Sequence, residues 1–215
     1  RVDRPLKRNR TRCQSGINTI MAGLSFVTIM RKANALGKTP GNVDTRNWFR
    51  EQARKVVAID NNRLLRDPNA VDNLEPGNMY FFAYDAKWKD KLPYWDAFPL
   101  VFPFKINPDG FTGINLHYLP FDLRAQLMDA LYGTVDKRYK NENRRLRISY
   151  ELLNGAARFE PFKPCIKRYL SNQMRSRFLK IPYDQWDVAL FLPLQRFQKA
   201  PQSHVWDESR DIVNG

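Results

Sequence analysis

A chain of 215 residues with 43% hydrophobic and 13% aromatic side chains holds enough apolar material for a buried core, which excludes a disordered tail. Its apolar runs, such as Phe98 to Phe104, are interrupted by proline and fall short of the roughly 18 residues a membrane span needs, and no segment repeats at a period of about 20 to 50 residues. Thirty-six Lys and Arg against 22 acids leave +14, a balance that favours a polyanionic partner, while 14 prolines against 10 glycines disfavour a bundle of long helices.

The first twelve residues carry six bases and almost nothing to bury, so they read as a basic arm. From Gln14 to about Ala35, Ile17, Ile20, Met21, Leu24, Val27 and Met30 recur at three- and four-residue spacing and predict an amphipathic helix ended by Gly37 and Pro40. Asp44 is placed to cap a second helix, with Trp48, Phe49, Ala53, Val56 and Val57 on one side and Arg46, Arg50, Arg54 and Lys55 on the other. Residues 60–78 are rich in Asn, Asp, Pro and Gly and mark a boundary between an extension over 1–60 and a core domain over 61–215.

Beyond that boundary three runs, Met79 to Asp85, Pro99 to Ile106 and Phe111 to Leu119, are dense in aromatic and branched residues and predict strands. Asn107-Pro-Asp-Gly110 is a turn signal, and Pro103 belongs on an edge or at a bulge. Helices are expected near 121–132, with Gly133 as its stop, over Ile148 to Phe159, and over Lys163 to Asn172, with Lys163, Lys167 and Arg168 facing out. Arg175 to Ile181 alternates like a strand that joins the meander, Trp186 to Leu192 fits helix or strand, and Ser203 caps a last helix through Val213. The fold class is therefore α+β: a small antiparallel meander, SH3-like or an open barrel, packed with several short helices and preceded by a helical basic N-terminal extension.

The charge is segregated. Residues 1–57 hold 13 bases and 3 acids, 58–136 hold 7 and 11, 137–180 hold 13 and 3, and 181–215 hold 3 and 5. Two basic blocks thus flank an acidic middle, as a phosphate-binding surface needs. Candidate DNA contacts are Arg46, Arg50 and Arg54 in the first block. In the second they are Lys140, Arg144, Arg145, Arg147, Lys163, Lys167, Arg168, Arg175, Arg177 and Lys180, where arginine forks suit phosphate oxygens and interleaved aromatics suit unpaired bases. Tyr169 and Phe178 are better explained as core residues. No finger, zipper or helix-turn-helix signature is present, so binding without sequence specificity is expected.

No catalytic group, cofactor loop or metal site emerges: there is no phosphate-cradling glycine loop, no G-x-S-x-G, no H-E-x-x-H and no D-x-D. Cys13 and Cys165 match no redox or zinc spacing and read as structural thiols of a protein used without secretion. His117, alternating with Asn115 on an aromatic strand, reads as a hydrogen-bonded core histidine.

Several strings then stand together: Met79-Tyr-Phe-Phe-Ala-Tyr-Asp-Ala-Lys, Leu92-Pro-Tyr-Trp-Asp-Ala-Phe-Pro-Leu-Val-Phe-Pro and Gly110-Phe-Thr-Gly-Ile-Asn-Leu-His-Tyr-Leu-Pro. Arg124-Ala-Gln-Leu-Met-Asp-Ala-Leu, Phe162-Lys-Pro-Cys-Ile-Lys-Arg-Tyr-Leu and Phe191-Leu-Pro follow. In this order, over residues 44–213, they resemble the DNA end protector family of T4-like contractile-tailed bacteriophages. The resemblance implies a non-enzymatic virion protein at the head-tail junction, made in the host cytoplasm, that sits on the end of the packaged double-stranded DNA and shields it from host exonuclease. Its expected partners are that genome end and portal, neck or tail proteins, with no membrane and no cofactor. The competing expectation is an architectural neck, tail or baseplate subunit whose basic surfaces meet acidic neighbours.

Overall fold

Met79 to Phe81, Leu100 to Asn107 and Gly110 to Asn115 are rich in aromatic and branched side chains, and in the computed structural model they form the middle of a five-stranded antiparallel sheet. The structure describes residues 26–38, 43–55, 59–68, 70–134 and 160–214. Strands β1 (Met79–Phe81), β3 (Leu100–Asn107), β4 (Gly110–Asn115), β5 (Ile166–Leu170) and β6 (Leu179–Ile181) lie in the order β5-β4-β3-β1-β6; β2 (Trp95–Asp96) pairs separately with β7 (Phe197–Gln198).

The expected turn closes the β3–β4 hairpin, pairing Asn107 with Gly110, and the register slips between Pro103 and Lys105, so the proline sits at a bulge inside the sheet. Side chains alternate between two cores. Met79, Phe81, Leu100 and Phe102 enter the larger one; Tyr80, Phe82, Val101, Phe111 and Tyr169 make a smaller aromatic one.

The larger core is covered by helices. They are α1 (Phe26–Ala35), α2 (Val43–Arg54), α3 (Asn61–Leu64), α4 (Phe121–Thr134), α5 (Trp186–Ala189) and α6 (Gln202–Asn214). Ile29, Phe49, Leu127, Val188 and Val205 are among their buried anchors. Gly37, at φ 62°, ends α1: the Lys38 amide donates to the Ala33 carbonyl at 2.9 Å and the Gly37 amide to that of Asn34 at 3.1 Å, the paired C-terminal bonds that a left-handed glycine permits.

The smaller core is closed by the chain between β5 and β6, which crosses from one edge of the sheet to the other. Its Arg175 amide donates to the Ala83 carbonyl at 2.9 Å, its Gln173 carbonyl accepts from the Asp85 amide at 3.1 Å, and Phe178 exchanges backbone bonds with Val71 at 2.8 and 2.9 Å. We refer to residues 171–178 as the crossing segment.

Four expectations change. Lys163 to Asn172 is not a helix: a 3-10 turn over Glu160–Cys165 leads into β5, because Ile166-Lys-Arg-Tyr-Leu170 finds five backbone partners along β4. Gly133 does not stop α4, which runs to Thr134. Asp44 and Ser203 lie inside the first turns of α2 and α6 instead of capping them, α6 starting directly after Pro201. Trp186 to Leu192 resolves as the short helix α5 and its exit. The basic arm, the segment from Gln14 to Ser25 and the helix expected over Ile148 to Phe159 lie outside the described residues.

Candidate nucleic-acid interface

Of the candidate contacts, Lys140, Arg144, Arg145 and Arg147 lie outside the described residues, and the other nine fall on α2 and on the chain from 163 to 180. On α2, Arg50 is half-buried and Arg54 exposed. Arg46 is a correction. It points inward, 3% exposed, donating from Nη2 to Asp129 Oδ1 at 2.6 Å and from Nη1 to the Ala125 carbonyl at 3.2 Å, with Nε 3.5 Å from the fully buried Asp187. It ties α2 to α4 and α5, since a buried carboxylate needs a buried cation.

The second block is laid out by β5, the crossing segment and β6. Lys163 is exposed in the 3-10 turn. Arg168, Arg175, Arg177 and Lys180 follow from one sheet edge to the other, and each meets an acid from the middle of the sequence. Arg168 Nη2 lies 2.5 Å from Asp109 Oδ1, Arg175 Nη2 3.3 Å from Asp85 Oδ2, and Lys180 Nζ 3.3 Å from Glu75 Oε2. Arg177 grips Asp72 with Nε at 2.8 Å and Nη2 at 3.2 Å. Lys89, then Arg175, hold the Asp85 carboxyl below its ordinary range by hydrogen bonding, and Arg168 does the same for Asp109. All four pairs are exposed, so water and salt screen them and a phosphate can take the place of the carboxylate.

Lys167 differs. It does not face out: Nζ sits 3.9 Å above the Tyr118 ring, and burial pushes the amine down to about 8. Tyr169 and Phe178 pack in the smaller core, as expected, with ring contacts to Phe82 at 5.3 and 5.2 Å.

Beside this edge lies a sealed polar centre. The Asp96 carboxylate accepts from the Phe98 and Arg196 amides at 3.1 Å each, from Asn115 Nδ2 at 3.3 Å and from His117 Nδ1 at 2.7 Å. Burial alone would raise Asp96; the His117 ring and the amide donors outweigh it and keep the group below its ordinary value. Burial, despite Asp96, pushes His117 below 6.5, so its ring is neutral with the proton on Nδ1. Next to it Arg124, wholly buried, donates to the carbonyls of Leu119 and Leu190 at 2.6 Å and of His117 at 3.2 Å, and lies between the Phe121 and Trp206 rings at 4.8 and 5.3 Å. Burial lowers its guanidinium to about 9, which leaves it charged at neutral pH.

Among the described residues no serine, threonine or cysteine side chain hydrogen-bonds to Asp96 or His117, and no three His, Cys, Asp or Glu converge on a metal position. With both partners shut off from solvent, the centre organises structure: it joins β2, the end of β4 and the approach to β7.

Against this geometry, the profile of a family described as phage T4 terminal DNA protecting protein matches residues 4–209. The chain belongs to the phage T4 terminal DNA protecting family. No curated protein and no solved structure matches it. Membership makes this a bacteriophage structural protein of the virion. The match reaches back to residue 4 and so takes in most of the N-terminal stretch that the strings over 44–213 left out. Among the described residues of this terminal DNA protecting family member, no helix is long and apolar enough to cross a membrane.

A further group of bases sits beside aromatic rings outside the two basic blocks. Lys87 and Lys91 flank the Trp88 ring at 5.1 and 5.2 Å, and Lys199 lies 6.0 Å from the Trp95 ring. They sit in segments whose totals are acidic, yet Lys87-Trp-Lys-Asp-Lys91 is itself a signal, bases interleaved with an aromatic ring.

Proposed function

We propose that this family member binds the end of packaged double-stranded DNA at the head-tail junction through backbone contacts, without sequence specificity, and blocks loading of host exonuclease. The observation that carries the reading is the match of residues 4–209 to a family described by terminal DNA protection. The two basic blocks and the row Arg168, Arg175, Arg177 and Lys180 support it, because Arg and Lys that displace counterions from phosphates give affinity independent of base sequence. Arg50, Arg54, Lys140, Arg144, Arg145, Arg147 and Lys163 complete the proposed contact set; Arg46 is left out because its head group is spent inside, and Lys167 because its amine is turned in over the Tyr118 ring.

The test is exonuclease protection of a blunt linear duplex in the presence of a circular competitor, at two salt concentrations. Ends are expected to be protected equally on unrelated sequences, and with six to ten phosphate contacts affinity falls by roughly 10³ to 10⁵ between about 50 and about 200 mM salt. Changing Arg144, Arg145, Arg175 and Arg177 together to Glu should abolish protection in a protein that still folds. A folded wild type that protects no ends, but remains bound to portal, neck or tail proteins after nuclease treatment, would replace this reading with the architectural subunit.

A further inference from the structure

At the β5 edge, next to Arg168, the surface opens into a cavity of about 380 Å³. That size lies in the roughly 300–1,000 Å³ range of small-ligand sites. Its walls combine rings and cations: Trp88, Tyr94, Trp95 and Tyr118 supply ring surface and Lys87, Lys167 and Arg168 positive charge, while the one acid of the lining, Asp96, is buried with its carboxylate engaged by internal donors. Trp88 is 55% exposed, which is rare for so large a ring and leaves stacking surface open to a ligand.

Tyr118 is fixed by burial, and Tyr94 by the bond from its hydroxyl to Glu208 Oε2 at 2.5 Å, so these walls are held before anything binds. Lys167 is the telling residue. Arg168, Arg175, Arg177 and Lys180 each have a carboxylate partner; Lys167, half-buried in the cavity, has none at ion-pair distance among the described residues, only the Tyr118 ring. A cation withdrawn from water without an anion is costly, and an arriving anion relieves that cost.

A ligand with a flat ring and an anionic group suits these walls. Resting on the DNA-end reading above, we infer that this cavity holds one unpaired terminal nucleotide of the bound DNA, its base against Trp88 and Tyr94 and its phosphate on Lys167. Stacking on aromatic rings accepts any base, in keeping with binding that ignores sequence. The chain then grips duplex along the crossing segment and the end itself in the cavity.

The experiment compares the full chain on a blunt duplex, the same duplex with one 5′-phosphorylated unpaired nucleotide, and free deoxyadenosine monophosphate, read by titration and by tryptophan fluorescence. The overhang duplex should bind at least tenfold more tightly than the blunt one and quench fluorescence, with free nucleotide binding weakly. Trp88→Ala and Lys167→Met should each erase that advantage while leaving blunt-duplex affinity within about twofold, and Arg177→Gln, outside the cavity, should weaken both duplexes alike. Equal affinity of wild type for blunt and overhang ends overturns the inference and leaves the DNA-end reading standing. So does an advantage that survives both cavity variants. Tight binding of the free nucleotide with no preference for overhangs also overturns it, in favour of a mononucleotide site. Failure to bind any duplex removes the DNA-end reading and this inference with it.

Discussion

Arg124 is a cation held in the interior by carbonyl oxygens and aromatic faces, with no carboxylate at ion-pair distance among the described residues. Each bond from a charged donor is worth about 1.5–3 kcal/mol net, and the Leu119 and Leu190 carbonyls lose their partner together if it is removed, while that of His117 keeps Trp206 Nε1 at 2.9 Å. Arg124→Met should therefore cost about 3–5 kcal/mol in denaturant unfolding, and Arg124→Lys should recover only part of it, because an ammonium cannot reach three carbonyls in one plane. His117 makes a prediction of a different kind. Its folded-state pKa lies below 6.5, so as pH falls the unfolded chain takes a proton before the fold does, and stability declines from about pH 6.5 downward through the folded value. Asp96, also held low, adds a further decline below its ordinary 3.8. Urea unfolding at pH about 7 and about 5 should show the first loss in the wild type and a smaller one in His117→Gln. The core position of His117 is legible in the sequence because the residue alternates with Asn115 along an aromatic strand. The burial of Arg124 is not legible there, since nothing local distinguishes a helix arginine that faces water from one that faces three carbonyls.

At the scale of elements, the β3–β4 hairpin was legible because its signals are local: alternation, a four-residue turn and a proline that only a bulge accommodates. β5 was not. Five residues with two bases fit a short amphipathic helix as well as a strand, and what decides is β4, some 55 positions earlier, through pairs such as Phe111 with Tyr169. Gly110 shows how closely that pairing is fitted. It sits at φ 153°, and a Cβ there would run into the Tyr169 carbonyl oxygen. Gly110→Ala should cost about 1–3 kcal/mol from backbone conformation, with the clash adding to it. Amide hydrogen exchange should locate the loss in β5 before β1 or β3, because the alanine pushes on that edge alone. The same reasoning explains the candidate interface. The bases of the second block are visible as a cluster, but which of them point outward depends on β5 being extended, and that turns Lys167 in over the Tyr118 ring while leaving Arg168 exposed beside Asp109.

For the whole molecule, segment totals describe the sequence better than the surface. The acidic middle does not stand apart: Asp72, Glu75, Asp85 and Asp109 fold onto the bases of the second block, so the positive field there is moderated and its cations are held in place. Long-range pairing of this kind leaves no trace in composition, and neither does the strand order. β1, the first strand made, lies inside the sheet with β6 as its neighbour on one side, and Phe81 meets Leu179 about a hundred positions later. A ribosome adding about 5–20 residues per second takes roughly 5–20 s to cover that distance. Throughout that interval the nascent chain presents Met79-Tyr-Phe81 with one row of amides and carbonyls unsatisfied, an invitation to pair with another copy. Completion of the C-terminal quarter thus acts as the protein's own safeguard against self-association, and chains released early are the ones that chaperones must intercept.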